Sequence, residues 1–201
     1  MNYRRYIFLD IDGVLNHGKY YEWFRANREE ASWKGEDNMR FYMENLDPVA
    51  IQRLNLLTGA EVVISSSWMY DEFTVAGLRA KGLTLPIIGG TEHIDLNHLF
   101  LVRGNAIAKW FVDNYKSIPR DSFYDSFEKD GWWHPKRIYS MVNGEETYVE
   151  LEDADAVTYV IFDDSADMLM DQKNHFIHVD GRVGLTDENI IEAKRILHIE
   201  E

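Results

Sequence analysis

The chain predicts an α/β fold, a parallel sheet with helices on both faces, and three observations carry that expectation. Five short apolar runs rich in β-forming residues are spread along the 201 residues. Helical patterns fall between them, as crossovers between parallel strands require. The first run, Arg5 to Leu9, also stops abruptly at Asp10-Ile11-Asp12-Gly13, a loop at the end of a buried strand.

The strands are expected at 5–10, 61–66, 85–88, 157–163 and 175–179, with Pro86 weakening the case for the third or falling at its beginning. Asp47-Pro48 opens the first clear helix, aspartate as N-cap and proline in the first turn, and apolar spacing through Ile51, Leu54 and Leu57 carries it to Gly59. Residues 71–81 and 104–115 give two more helices, and Thr186-Asp187-Glu188-Asn189 starts a last one ending near Leu197. Two stretches interrupt this rhythm. Residues 16–46 are polar and aromatic, and residues 116–155 contain Trp132-Trp133 followed by a hairpin pattern around Asn143-Gly144. Both read as insertions into one domain spanning 1–201, placed as small lids over a sheet edge.

Composition narrows the function classes. Hydrophobic residues make up 45% and aromatic residues 13%, a packed globule with no sign of wholesale disorder. No apolar run approaches the roughly 20 residues of a membrane span, and no amino-terminal signal pattern is seen. The absence of cysteine excludes disulfides and thiol chemistry and fits a reducing, cytoplasmic setting. Thirty-five acidic against 21 basic side chains leave a net charge of −14, without a dense Lys/Arg stripe. Duplex nucleic acid is therefore a poor partner, and an anionic substrate needs a local cation or metal to offset the field.

Four polar clusters carry the candidate chemistry. Asp10 and Asp12 form a carboxylate pair able to hold a hard divalent cation and to present one oxygen to an electrophile, although Asp and Gly also build plain turns. Ser65-Ser66 at the end of the second strand can donate hydroxyl or backbone N–H groups to an anionic oxygen, or simply end the strand. Arg103 precedes an amphipathic helix and can neutralise a carboxylate or grip a phosphoryl oxygen; Lys109 competes for that role, and either can be a surface cation. Asp163-Asp164-Ser165-Ala166-Asp167 ends the fourth strand as a second hard-cation candidate or as a helix N-cap cluster. An EF-hand is excluded because the twelfth loop position is Tyr21 and a strand precedes the loop. A metal-binding Asp-x-Asp of a nucleotide-sugar transferase would leave the other three clusters without work. His17, His93 and His98 lack the grouping of a zinc site.

Taken in order, Tyr6-Ile7-Phe8-Leu9-Asp10-Ile11-Asp12-Gly13-Val14, Val62-Val63-Ile64-Ser65, Arg103 and Val160-Ile161-Phe162-Asp163-Asp164 with Asp167 resemble the four motifs of the haloacid dehalogenase superfamily. More narrowly, Asp-Gly-Val-Leu-Asn16, Ile-Ser-Ser-Ser-Trp68, Arg103-Gly104 and Phe-Asp-Asp-x-x-Asp-Met168 are similar to a bacterial and phage branch named for domains found in RNA-repair proteins. The resemblance covers the sheet and its helices but neither insertion. It implies a three-layer, Rossmann-like sheet and a Mg²⁺-dependent phosphomonoester hydrolase. In that reading Asp10 attacks phosphorus, Asp12 serves as acid and then base, Ser65 and Arg103 complete the catalytic set, and Ser66 and Asn16 contact substrate. Metal ligands are then drawn from Asp10, Asp12, Asp163, Asp164 and Asp167. Asp12 favours phosphate esters over carbon–halogen bonds, because an alkoxide needs a proton on leaving and a halide does not. The expected substrate is a nucleotide or similar small organic phosphate, with Trp23, Trp33, Trp132, Trp133 and Tyr139 offering either a stacking face or small local cores. Phosphorylated RNA or DNA ends, and a non-catalytic phospho-acceptor or binding protein, are the alternatives.

Overall fold

A computed structural model describes residues 3–27, 44–71, 73–92, 101–115, 118–119, 132–133, 137–142, 145–150 and 156–200. In chain order the elements are β1 (Tyr3–Leu9), α1 (Gly18–Asn27), α2 (Pro48–Leu54), β2 (Glu61–Ile64), α3 (Thr74–Ala80), β3 (Ile87–Gly90), α4 (Arg103–Tyr115), β4 (Arg137–Val142), β5 (Glu145–Glu150), β6 (Ala156–Asp163), β7 (Phe176–His178) and α5 (Asp187–Ile196). Short 3₁₀ turns occupy Ser67–Tyr70 and Met170–Gln172.

Five strands form one parallel sheet in the order β3-β2-β1-β6-β7. The chain leaves β1 toward β2 on one side and returns to β6 on the other, so the order reverses at β1. In open α/β sheets the crevice beyond the carboxyl ends at such a switch point is where ligands bind. β6 is buried along its whole length, which explains why its sequence is mostly apolar instead of alternating.

Side-chain alternation splits the core in two. Ile7 and Leu9 point to a layer of aliphatic residues that includes Ile51 and Leu54 of α2, Leu78 of α3 and Ile190 and Ala193 of α5. Tyr6 and Phe8 point to the other face, where Ile107, Phe111 and Tyr115 of α4 meet Tyr159 and Trp133. Phe111 packs edge-on against Trp133 at 5.5 Å and against Tyr159 at 5.0 Å, and the Tyr6 and Tyr115 hydroxyls share a hydrogen bond of 2.5 Å. The result is the three-layer arrangement expected.

Helix ends follow the sequence signals. The Asp47 carboxylate accepts the Val49 N–H at 2.8 Å and Pro48 fills the first turn of α2. Thr186 and Asn189 form a reciprocal capping box on α5. Pro86 sits just before β3, an edge strand, and offers its carbonyl to Val62 N–H at 2.7 Å. α2 closes at Leu54, earlier than Gly59, and α3 starts at Thr74 because the 3₁₀ turn and Asp71 take up the preceding residues.

Of the two readings of the insertion aromatics, Trp132 and Trp133 take the second, local cores. Trp132 and Trp133 offer no stacking face near the crevice, since Trp133 pairs through backbone bonds with Val157, near the amino end of β6. Both are buried, Trp133 in the aromatic layer and Trp132 stacked on His198 beneath the Arg5 guanidinium. They are core residues. Trp23, by contrast, is 57% exposed on α1 and stacks on Tyr20. Trp33 and the Tyr139 side chain lie outside the described residues. The hairpin is present as an antiparallel β4–β5 pair.

Candidate active site

The four polar clusters converge at the switch point. Asp10 follows β1, with its N–H bonded to Phe162 O at 3.0 Å, while Asp163 ends the adjacent β6. In-register pairing of Leu9 with Phe162 thus sets the two carboxylates side by side. Both are buried, Asp163 completely.

Arg103 joins them. Its Nε lies 2.8 Å from Asp163 Oδ2, its Nη2 lies 3.4 Å from Asp10 Oδ1, and its Nη1 donates to the Ser65 carbonyl. One guanidinium therefore faces two carboxylates. Lys109 is elsewhere, paired with Glu92 at 3.1 Å and Asp113 at 2.5 Å on the outside of α4. Burial pushes the Asp10 carboxyl up to about 6, against the opposing pull of Arg103 and the Ser66 hydroxyl. Burial and then the neighbouring Asp10 push Asp163 up to about 7, again opposed by Arg103.

The anchoring of Arg103 is local. Its backbone N–H donates to Asp167 Oδ2 at 3.1 Å, and Gly104 N–H donates to Asp167 O at 3.3 Å. Gln172 holds the same turn, donating from Nε2 to Gly104 O at 2.9 Å while its Oε1 accepts from Leu169 N–H at 2.9 Å. A Cβ on Gly104 would meet Leu169 N at 2.5 Å, so glycine is required for this close approach. One Asp167 carboxylate oxygen thus caps α4, and among the described residues Asp10, Asp163 and Asp164 form the group whose oxygens could share a cation.

Asp12 lies on the exposed rim. Asn16 Nδ2 donates to its Oδ1 at 2.7 Å, and Trp68 Nε1 donates to its Oδ2 at 3.0 Å. Asn16 Oδ1 also accepts Gly13 N–H at 3.1 Å, so this residue, expected to touch substrate, supports the Asp10–Asn16 loop and orients Asp12. Ser65 is buried; its N–H bonds Leu9 O at 2.7 Å and its Oγ accepts the Thr91 hydroxyl at 3.1 Å, leaving its own proton available. The Ser66 hydroxyl is buried beside Asp10 with no hydrogen bond of good geometry.

Trp68, Thr91 and Gln172 are the residues the sequence reading left without a role. Trp68 was visible in Ser-Ser-Ser-Trp, but only the chain reversal through the 3₁₀ turn brings its indole N–H over Asp12. Thr91 and Gln172 gave no local signal, since their partners lie 26 and 68 positions away.

A divalent cation fits this arrangement. Oxygens of Asp10, Asp163 and Asp164 lie within 4.8 Å of one another, whereas oxygens opposite each other around Mg²⁺ stand about 4.2 Å apart, so a small contraction suffices. Asp163 Oδ2 is fully buried and accepts no hydrogen bond, its 2.8 Å contact with Arg103 being poorly angled. Such an oxygen is costly unless a cation completes it.

Sheet order, crevice and acidic cluster define an α/β domain of the haloacid dehalogenase (HAD) type. Residues 6–124 match the model of the HAD domain in Swiss Army Knife RNA repair proteins, and the chain belongs to that family. The matched span includes Asp10, Asp12, Ser65 and Arg103 and stops short of Asp163, whose place in the site rests on the geometry above. No curated protein and no solved structure matches the chain.

Proposed function

We propose that this chain is a Mg²⁺-dependent phosphomonoester hydrolase that works through an aspartyl-phosphate on Asp10. The observation that carries this reading is the grouping of Asp10, Asp163 and Asp164 oxygens, with the half-buried Arg103 guanidinium facing Asp10 and Asp163, at the switch point of a HAD-type sheet. Asp10, the Asp12 carbonyl, and Asp163 or Asp164 or both would hold the metal. When bound, Mg²⁺ neutralises the transferring oxygens and keeps the nucleophile ionised.

The remaining work falls to the chain. Asp10 attacks phosphorus in line, the phosphorus–oxygen bond to the leaving group breaks, and Asp12 protonates the departing alkoxide. Asp12 then takes a proton from the water that cleaves the acyl phosphate, returning Asp10 and inorganic phosphate. Arg103 balances the charge on Asp10, while the Ser65 hydroxyl and the Ser66 hydroxyl or N–H receive phosphoryl oxygens. Asn16 and Trp68 hold Asp12 in place. A long-lived phospho-acceptor is disfavoured, because a carboxylate two residues from the nucleophile serves hydrolysis.

The substrate reading is a nucleotide or similar small organic phosphate, supported by the net charge of −14 and by Trp23 stacked and exposed on α1. Phosphorylated nucleic-acid ends are the second reading, supported by a family described in RNA repair proteins. Asp10→Asn should abolish hydrolysis of an aryl phosphate while the circular dichroism spectrum is retained; full activity in that variant refutes the assignment. A panel of mononucleotides, sugar phosphates and end-phosphorylated oligonucleotides separates the substrates. Selective turnover of oligonucleotides, weakening steeply with salt, would favour the second reading.

A further inference from the structure

The Asp164 side chain lies in a slot between two glycines far apart in the sequence. A Cβ on Gly13 would stand 2.2 Å from Asp164 Oδ2, and a Cβ on Gly181 would stand 2.5 Å from the same atom. Asp164 is otherwise exposed, and among the described residues no side chain donates to its carboxylate. Its backbone is tied to the same region, since the His178 ring bonds Asp164 O at 2.9 Å through Nε2. What confines the carboxylate is the bare backbone on either side.

The two glycines differ in a useful way. Gly13 has φ +76°, so it is needed for its conformation as well as its lack of a side chain. Gly181 is not among the residues of positive φ, so only the space is at stake there. The Asp180–Gly184 turn is well built in its own right. Asp180 Oδ1 accepts Arg182 N–H at 2.9 Å, and Asp180 O accepts the N–H groups of Val183 and Gly184, each at 2.8 Å. On its outer side the turn receives the start of α1, with Gly18 N–H on Gly181 O at 3.1 Å and Lys19 N–H on Arg182 O at 2.9 Å.

We propose that Gly181 is a positioning residue for the metal site: its missing side chain fixes Asp164 in the conformation that shares a cation with Asp10 and Asp163. The inference rests on the metal-dependent reading above. A methyl group at position 181 pushes the terminal oxygen of Asp164 out of the slot, and a flexible carboxylate yields more readily than the surrounding backbone. The fold therefore survives and the cation loses one ligand.

Titration calorimetry with Mg²⁺ alone, without substrate, tests this in the whole chain. Gly181→Ala should keep the wild-type melting temperature in chelator and bind Mg²⁺ about 10- to 100-fold more weakly, the range typical of lost ligand support. Asp164→Ala should show a comparable loss, and the double variant should bind no more weakly than Asp164→Ala, since both changes remove the same ligand. Unaltered Mg²⁺ affinity in Gly181→Ala, or losses that add in full in the double variant, overturns the inference and leaves the proposed function standing. Unfolding of Gly181→Ala in chelator likewise overturns the inference, which requires the Asp164 carboxylate and not the backbone to yield. A wild-type chain that takes up no Mg²⁺ removes both the inference and the reading beneath it.

Discussion

Asp47 and Asp163 are both buried aspartates at the ends of secondary-structure elements, yet their surroundings drive them in opposite directions. For Asp47 the cost of burial is outweighed by the His17 ring, at 3.0 Å, and by the N–H groups of Val49 and Ala50, which together hold its carboxyl below the usual range. For Asp163 burial is the dominant influence, Asp10 adds to it, and one arginine shared by both is not enough to offset them. The first carboxylate is satisfied by its own chain. The second is left in a state that a cation or a proton must complete. A buried acid with a full set of donors belongs to the architecture, whereas a buried acid short of them marks where a ligand is expected.

The sharpest way to break this contrast is to remove the shared cation. Arg103→Met should lower kcat for an aryl phosphate by about 10²- to 10³-fold, the scale of losing one preorganised charge contact. Lys109→Met, whose partners are Glu92 and Asp113, should leave kcat unchanged. Equal effects from the two variants would mean that the arginine does not act on Asp10.

A smaller effect separates the two aspartates by pH. Asp10 and Asp163 have folded pKa values raised to about 6 and about 7. Raised acid pKa values mean that the folded state binds more protons than the unfolded chain above pH 4 or so. Their contribution to stability is present below the unfolded value and is lost as pH rises through 6 and 7. Melting temperature measured in chelator should therefore fall between pH 5 and 8 more steeply in the wild type than in Asp163→Asn. Saturating Mg²⁺ should recover that loss at pH 8, because the cation binds the ionised carboxylates. Asp47 has the opposite sign: its lowered pKa gives stability that is present at neutral pH and lost as pH falls through the folded value.

The smallest effect concerns architecture alone. Asp47→Ala removes the α2 cap and the His17 contact and should cost about 1–2 kcal/mol in urea denaturation. Mg²⁺ affinity should be unchanged, and a marked loss would show that Asp47 also supports the site.

Much of this arrangement was legible before any coordinates. Tyr6–Leu9 of β1 and the whole of β6 are buried on both faces, so their composition marks them as central strands, and acidic residues that stop such runs are placed by the sheet itself. Asp47-Pro48 and Thr186–Asn189 announced their helix starts because capping is local chemistry. The fates of Asn16, Asp167 and the Trp132-Trp133 pair were not legible. Each depends on a partner brought near by the fold: Asp12 across a tight loop, Arg103 across 64 positions, and Val157 with His198 at the far end of the sheet. Residue type states what a side chain can do, and the topology decides beside which group it does it. The same limit hid Trp68, since the reversal that aims its indole follows the strand that was read correctly.

The central claim is that Asp10 is held as the attacking group of a phosphoryl transfer. Its most direct test is rapid-quench mass spectrometry of the wild-type chain mixed with Mg²⁺ and an aryl phosphate. The expected result is a phosphoryl adduct on the peptide carrying Asp10, formed within the first turnover and missing from Asp10→Asn. Turnover with no adduct on that peptide, or with the phosphoryl group on another residue, would contradict it.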